Sequence, residues 1–328
     1  MPDLTAPMED DRNWLLVMAA LTAIELIWWM IEWGVGAAPA PLIATYGVLA
    51  TGGLALGAAL RFASGMRPSD ADWPGVALGT ALVAVGASVF LPLKYAIPSE
   101  VPFWLDHRLA IAERAIFSGD PWLFLDRVLG WAAVPMDWLY GCWLPVQLSV
   151  MFMVMLSNPS SAKSRSLIAY SLAWFLLGVV AAVLLSSAGP LFYDRAFGGH
   201  GFARLAEMLR NRGALVAIAE SDRMWASMAS ARPGLVAGIS AMPSIHVAVS
   251  LWIFLTARTI APRCRAPALL YFVLVWIGSV QLGWHYASDG LVGAAGMLAV
   301  WKMAGALEGW LGNRRRGRRA ALALPQPA

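Results

Sequence analysis

The chain reads as an all-α, polytopic membrane helix bundle of about eight transmembrane helices, and three observations carry that reading. Apolar residues make up 59% of the sequence and charged residues 13%, too little charge to cover a water-soluble domain. The mean hydropathy is +0.63. A bilayer core takes about 20 apolar residues per helix, and roughly eight runs of that kind follow one another along the chain. No two-residue alternation of a membrane barrel competes with them.

The runs are expected near 13–33, 41–60, 74–97, 131–156, 166–187, 236–257, 266–284 and 287–310. The first carries Glu25 and Glu32 and lacks the basic start and cleavage site of a signal peptide. It is read as a retained helix, its glutamates interfacial or set between helices. The second is rich in small residues, Thr51-Gly52-Gly53 and Gly57-Ala58-Ala59, which let helices approach closely. Neither span holds a polar cluster able to do chemistry, so residues 1–70 are read as an extension that packs and anchors.

The third span ends in Leu91-Pro92-Leu93-Lys94-Tyr95, where Lys94 either snorkels to the interface or faces an anionic substrate. Hydropathy then falls between Ile97 and Gly130. Trp104, Leu105, Leu109, Ile111 and Ala112 form one apolar side, with Asp106, Arg108, Glu113 and Arg114 largely elsewhere, the pattern of an amphipathic helix lying in the outer interface. Gly119 breaks it, and Asp120-Pro121 reads as a cap followed by proline at a first helical position. In the fourth span Asp137 is read as a structural partner near the outer surface. The fifth ends at Ser186-Ser187-Ala188-Gly189-Pro190. The longest loop follows, Leu191 to Leu235, with Tyr193, Asp194, a Gly-Gly-His-Gly turn around His200 and a surface helix expected from Ala203 to Arg210. Of its six arginines, Arg195, directly after a helix end, is the candidate for holding a phosphate.

Charge placement orients the bundle. With a cytoplasmic N-terminus, the inner loops hold Arg61 and Arg67, then Lys163 and Arg165, then Arg258, Arg263 and Arg265, and finally Arg314, Arg315, Arg316, Arg318 and Arg319. The first outer loop, near Val35 to Ala40, holds no basic residue. Residues 313–328 are therefore read as a basic cytoplasmic tail lying near anionic lipid, not as a nucleic-acid-binding arm. Compact loops and richness in Ala, Gly and Arg point to a bacterial inner (plasma) membrane protein with both termini cytoplasmic. Cys142 and Cys264 have no metal-ligand spacing, and neither a disulfide nor a metal or other cofactor is expected.

The chemistry is concentrated in two strings at the predicted outer face, Met242-Pro243-Ser244-Ile245-His246 and Gly283-Trp284-His285-Tyr286-Ala287-Ser288-Asp289, which hold two of the four histidines. Proline can open a helix, and the free amides of a helix start bind phosphate. Ser244 adds a hydroxyl and His246 a group able to carry a proton. His285 and Asp289 are four apart, so on one helix they share a face, and the carboxylate can fix the imidazole tautomer and leave the other nitrogen free to attack. Intramembrane Glu25, Glu32 and Asp137 raise a transporter as the alternative class, but they lie on different spans with no discontinuous helix pair or inverted repeat around them.

The two strings resemble the second and third signature motifs of the type 2 phosphatidic acid phosphatase superfamily, Pro-Ser-x-His and a later His with Asp four residues on. The resemblance covers roughly the third to eighth spans and implies that residues 71–312 form a six-helix catalytic membrane core. It implies His285 as nucleophile, Asp289 as its acid, His246 as the group that protonates the leaving alcohol, and Ser244 as a phosphate contact. Ile245 stands where the usual phosphatase pattern has glycine, Gly278 and Ser279 stand where it has Ser-Arg, and a first motif, Lys-x6-Arg-Pro, is absent. This pattern resembles the branch of inositol phosphorylceramide and sphingomyelin synthases, with Lys94 and Arg195 supplying the missing positive charge. The expected partners are a lipid phosphate donor and, as acceptor, a lipid alcohol or water. With water the enzyme would be a lipid phosphate or pyrophosphate phosphatase.

Overall fold

The apolar runs become helices whose ends are set by capping side chains and by proline. In the computed structural model, which describes residues 12–33, 40–63, 71–230 and 238–322, every regular element among the described residues is helical. In chain order they are α1 (Asn13–Trp33), α2 (Ala40–Ala63), α3 (Trp73–Glu100), α4 (Asp106–Phe117), α5 (Pro121–Leu129), α6 (Ala133–Gly141), α7 (Trp143–Met155), α8 (Ser161–Phe175), α9 (Ala182–Leu184), α10 (Pro190–Phe197), α11 (Ala203–Arg212), α12 (Leu215–Ala229), α13 (Ile245–Ile260), α14 (Arg265–Gln281) and α15 (Ala287–Leu322). Most of the predicted first outer loop, Arg67 and the last six residues of the tail lie outside the described residues.

Among the described residues six helices are long and apolar enough to cross a membrane, and the bent pair formed by Pro121–Gly141 and Trp143–Met155 makes a seventh. The bend of 46° falls at Cys142. Its cause is Pro145, which has no amide to give the carbonyl of Gly141 and whose ring crowds that oxygen. The span expected at 131–156 therefore begins earlier, at Pro121, and is broken. The sixth expected run, 236–257, starts late. Its helix, α13, has 16 residues and is about 24 Å long, short of the roughly 30 Å hydrocarbon core. These apolar helices fit an integral membrane protein, and the count of eight spans is reached when the bent pair and α13 are each counted as one.

α13 lies at the centre, packed by α7, α8, α14 and α15. Trp252 and Thr256 on it find partners within the protein, as hydrocarbon favours. Trp252 is fully buried and gives its indole N–H to Ser166 O at 2.8 Å, while Thr256 and Ser166 share a hydroxyl contact of 2.6 Å. α1 runs alongside α3 in the same direction. Trp14 meets Gly79, Thr22 meets Gly86, and Trp29 packs with Val89 and Leu93. At the start of α3, Asp72 accepts the Gly75 amide and is held by Arg12 through two 2.7 Å bonds. That guanidinium holds the Asp72 carboxyl below its ordinary value.

α4 is amphipathic, and its polar side carries acids that turn into the protein. Asp106, Ala110 and Glu113, spaced as one helix face, are buried, while Ile111, Ile116 and Phe117 are exposed. In lipid an apolar side chain loses nothing by facing outward, and the buried acids find hydrogen-bond donors. Buried carboxylates cap other helix starts in the same way. Asp137 accepts the amides of Val216 and Ala217 at 2.8 and 2.9 Å, so it is a structural partner for α12, and Asp194 accepts the amide of Phe202 in front of α11. The surface helix expected at Ala203–Arg210 is α11. The following α12 was not anticipated.

Candidate active site

The site forms where the start of α13 meets the turn before α15. Ser244, not Pro243, sets the helix start. It is the N-cap of α13, fully buried, and its Oγ accepts the Val247 amide at 3.4 Å. The cap leaves the first-turn amides of Ile245 and His246 without intrahelical partners. Tyr140 stacks on the His246 ring at 4.6 Å and 19°, and Trp143 leans against it at 4.1 Å. Trp143 Nε1–H also donates to the His246 carbonyl at 3.2 Å, so the ring plane is clamped by aromatic neighbours.

His285 does not lie on α15, as four-residue spacing suggests. It sits in the turn after α14, its amide donating to Ser279 O at 3.1 Å, and α15 starts two residues later. Asp289 is the third residue of α15 and reaches back to the Tyr286 amide, which donates to Oδ2 at 2.9 Å, one half of a capping box. This cap brings the carboxylate beside the imidazole, with His285 Nδ1 3.4 Å from Asp289 Oδ2. The pairing read from the sequence is present, produced by a helix cap instead of a shared helix face.

The two halves are locked together. The Ser244 amide donates to Asp289 O at 3.1 Å. At Gly293, one turn further along α15, a Cβ would stand 2.4 Å from Ser244 O, so only glycine lets the helix cross there. The rings of His246 and His285 end 5.9 Å apart at 58°.

Two acids of α4 hold the arrangement from behind, and sequence reasoning missed both. Glu113 Oε1 accepts the Ser288 amide and hydroxyl, each at 2.8 Å. Asp106 accepts the amides of Ala188 and Gly189 at 2.8 Å and the Tyr286 hydroxyl at 3.3 Å. Burial pushes the Asp106 carboxyl up from its ordinary value, against the pull of those donors, and burial beside Asp106 pushes the Tyr286 phenol up. The available signal was the spacing of Asp106, Ala110 and Glu113 on one helix face.

Both histidines open into one cavity of about 720 Å³, within the range of about 300–1,000 Å³ typical of ligand sites. Lys94 lines it, as do Phe192 and Trp284, and so do Glu25 of α1 and Tyr46 of α2. The structure thus brings Lys94 together with His246, His285 and, through His285, Asp289. Lys94 Nζ stands 5.9 Å from the Phe90 ring. Arg195 lies elsewhere: its guanidinium is bonded to the Asp222 carboxylate and to Ser221 O at 3.4 Å, and it does not line the cavity. Arg223, paired with Glu220 at 2.8 Å, does line it, and nothing in the sequence separated it from the other loop arginines. Among the described residues no three His, Cys, Asp or Glu side chains are arranged to hold a metal ion.

A family model for the PAP2 superfamily matches residues 107–303, from the first turn of α4 into α15. The match covers both site histidines, Asp289 and Glu113, begins one residue after Asp106, and leaves α1, α2 and α3 outside it. Comparison with curated proteins and with solved structures finds no significant match.

Proposed function

Because the chain belongs to the PAP2 superfamily, a family of phosphatases and phosphotransferases, we propose that it moves a phosphoryl group or phospho-headgroup from a lipid donor to a lipid alcohol through a phosphohistidine on His285. The observation that carries this reading is that both histidines and Lys94 face one large, mostly apolar cavity, so the acceptor can be a lipid as readily as the donor. It is the activity of an inositol phosphorylceramide synthase-like enzyme.

Asp289 orients the imidazole through Nδ1 and leaves Nε2 to attack. The Nε2–P bond forms as the P–O bond to the departing alcohol breaks, and His246 gives that oxygen its proton. The acceptor hydroxyl then loses its proton to His246, its oxygen bonds to phosphorus, and the N–P bond breaks. The positive charge of Lys94 and the free amides of Ile245 and His246 hold the anionic oxygens. Ser244 fixes that helix end, and Arg195 contributes by bracing α10 on α12 through Asp222. With the orientation given by loop charge, the site faces the periplasmic side of a bacterial inner membrane, with both termini in the cytoplasm.

The test is the mass added to His285 when the purified protein is exposed briefly to mixed anionic phospholipids and quenched at alkaline pH. Phosphate plus a headgroup is the expected increment. A bare phosphoryl group would make the donor a phosphomonoester or pyrophosphate and the enzyme a phosphatase. No adduct on His285 would remove the phosphohistidine.

A further inference from the structure

α1 and α2 lie outside the stretch matched by the family model, yet they wall the cavity that holds both histidines, and α1 puts a carboxyl into that wall. Glu25 is only 6% exposed and makes no hydrogen bond or ion pair among the described residues. An acid in the middle of a membrane helix is costly, and such residues are almost always paired or line a functional pathway. Glu25 lacks the first, and the cavity is the second.

Its depth tells what it meets. The contacts of Trp14 with Gly79 and Thr22 with Gly86 set the register of α1 on α3, which puts Glu25 level with Val89. Lys94 is five residues further along α3, about 8 Å nearer the histidine end. A lipid whose phosphate or reacting hydroxyl lies by Lys94 and the histidines therefore presents to Glu25 the next part of its length, where headgroup gives way to chains. A carboxyl accepts a hydrogen bond there in either protonation state.

We infer that Glu25 is a specificity-determining residue that accepts a hydrogen bond from a donor on the backbone of the lipid alcohol, seated against the wall made by α1 and α2. The inference rests on the reading that a lipid occupies this cavity. A lipid alcohol with an amide N–H or a second hydroxyl beside its reacting hydroxyl supplies that donor. A diacylglycerol, which has only ester oxygens there, does not, and leaves the buried acid unmatched.

The experiment measures binding, not turnover. Full-length protein in detergent is titrated with two fluorescent lipid alcohols, an N-acyl amino alcohol and a diacylglycerol, by quenching of tryptophan fluorescence. Wild type should bind the N-acyl lipid about tenfold more tightly. Glu25→Leu should abolish that preference by weakening the N-acyl lipid alone, and Glu25→Gln, which keeps an acceptor, should retain it. Because Glu25→Leu removes an unmatched buried acid, its Tm should equal or exceed that of wild type. A preference that survives Glu25→Leu, a wild type without preference, or a Tm that falls with loss of both lipids would overturn the inference. Because the readout is binding, a failure of the phosphotransfer reading would show in turnover of the wild type and leave this result standing.

Discussion

Glu113 holds Ser288 by both its amide and its hydroxyl, each 2.8 Å from the same carboxylate oxygen, so an interfacial helix grips the first turn of the helix that carries Asp289. Asp289 in turn stands beside His285. The geometry of the pair is therefore set from α4, far away in sequence.

Glu113→Ala should lower kcat by about 10–100-fold with little change in KM, the pattern of a lost positioning contact. It also leaves the Ser288 donors unmatched, at a cost of about 1–3 kcal/mol in stability. Glu113→Gln keeps an acceptor and should recover most of both. Steady-state kinetics and thermal melts check this, and an unchanged kcat in Glu113→Ala would remove the positioning role.

Among the reacting groups, His285→Ala should abolish turnover. His246→Ala should lower kcat by about 100–10,000-fold, the usual contribution of a general acid-base. In Asp289→Asn the amide oxygen can still take the Tyr286 amide, but the imidazole tautomer is no longer fixed. A loss of similar size is expected with the fold intact, as seen by an unchanged melt.

Gly293→Ala places a methyl group 2.4 Å from Ser244 O, against backbone that cannot swing aside. Overpacking of this kind costs about 1–3 kcal/mol. It should also separate α13 from α15, so activity should fall more steeply than Tm.

Lys94→Met should lower kcat/KM by about 10–100-fold through weaker phosphate binding. Arg195→Ala, whose guanidinium is already committed to Asp222, should act mainly on stability. The reverse ranking, measured as kcat/KM against Tm for each variant, would put the phosphate nearer to α10.

At the other end of the bundle, Arg12 lowers the folded-state value of the Asp72 carboxyl. A depressed acid contributes stability above its unfolded value and loses it as pH falls through the folded one. Thermal stability should therefore drop on acidification below the ordinary aspartate range of about 4. Arg12→Ala should lower Tm at neutral pH and flatten that part of the acid-side decline.

Much of this was legible in the chain. Apolar runs locate the helices because spanning segments must close their own backbone hydrogen bonds, and the histidine strings mark the candidate site because polar groups in such segments are few. What escaped was the role of the α4 acids and the start of α15. Asp106 and Glu113 belong inward, since in lipid the apolar side of α4 has no reason to turn to the core. His285 precedes α15 because Asp289 caps it, a tertiary arrangement that four-residue spacing does not distinguish from a shared helix face. The cavity contribution of α1 escaped because a single glutamate in an apolar run shows nothing of what faces it.

The short α13 gives the active site a sensitivity to the membrane itself. A helix of about 24 Å, entered through the irregular segment Gly238–Ser244, is shorter than a hydrocarbon core of about 30 Å, so with Arg258 at the inner interface its first-turn His246 falls within that thickness. That segment is tolerated at depth because its amides are taken up by the protein, Ala241 by Ser187 O, Met242 by Ser187 Oγ and Ser244 by Asp289 O. A phosphate must therefore sink toward the hydrocarbon to react, and the cost of that descent falls as the surrounding bilayer thins. On the proposed function, turnover should therefore be faster in vesicles of short-chain than of long-chain phosphatidylcholine at equal substrate density.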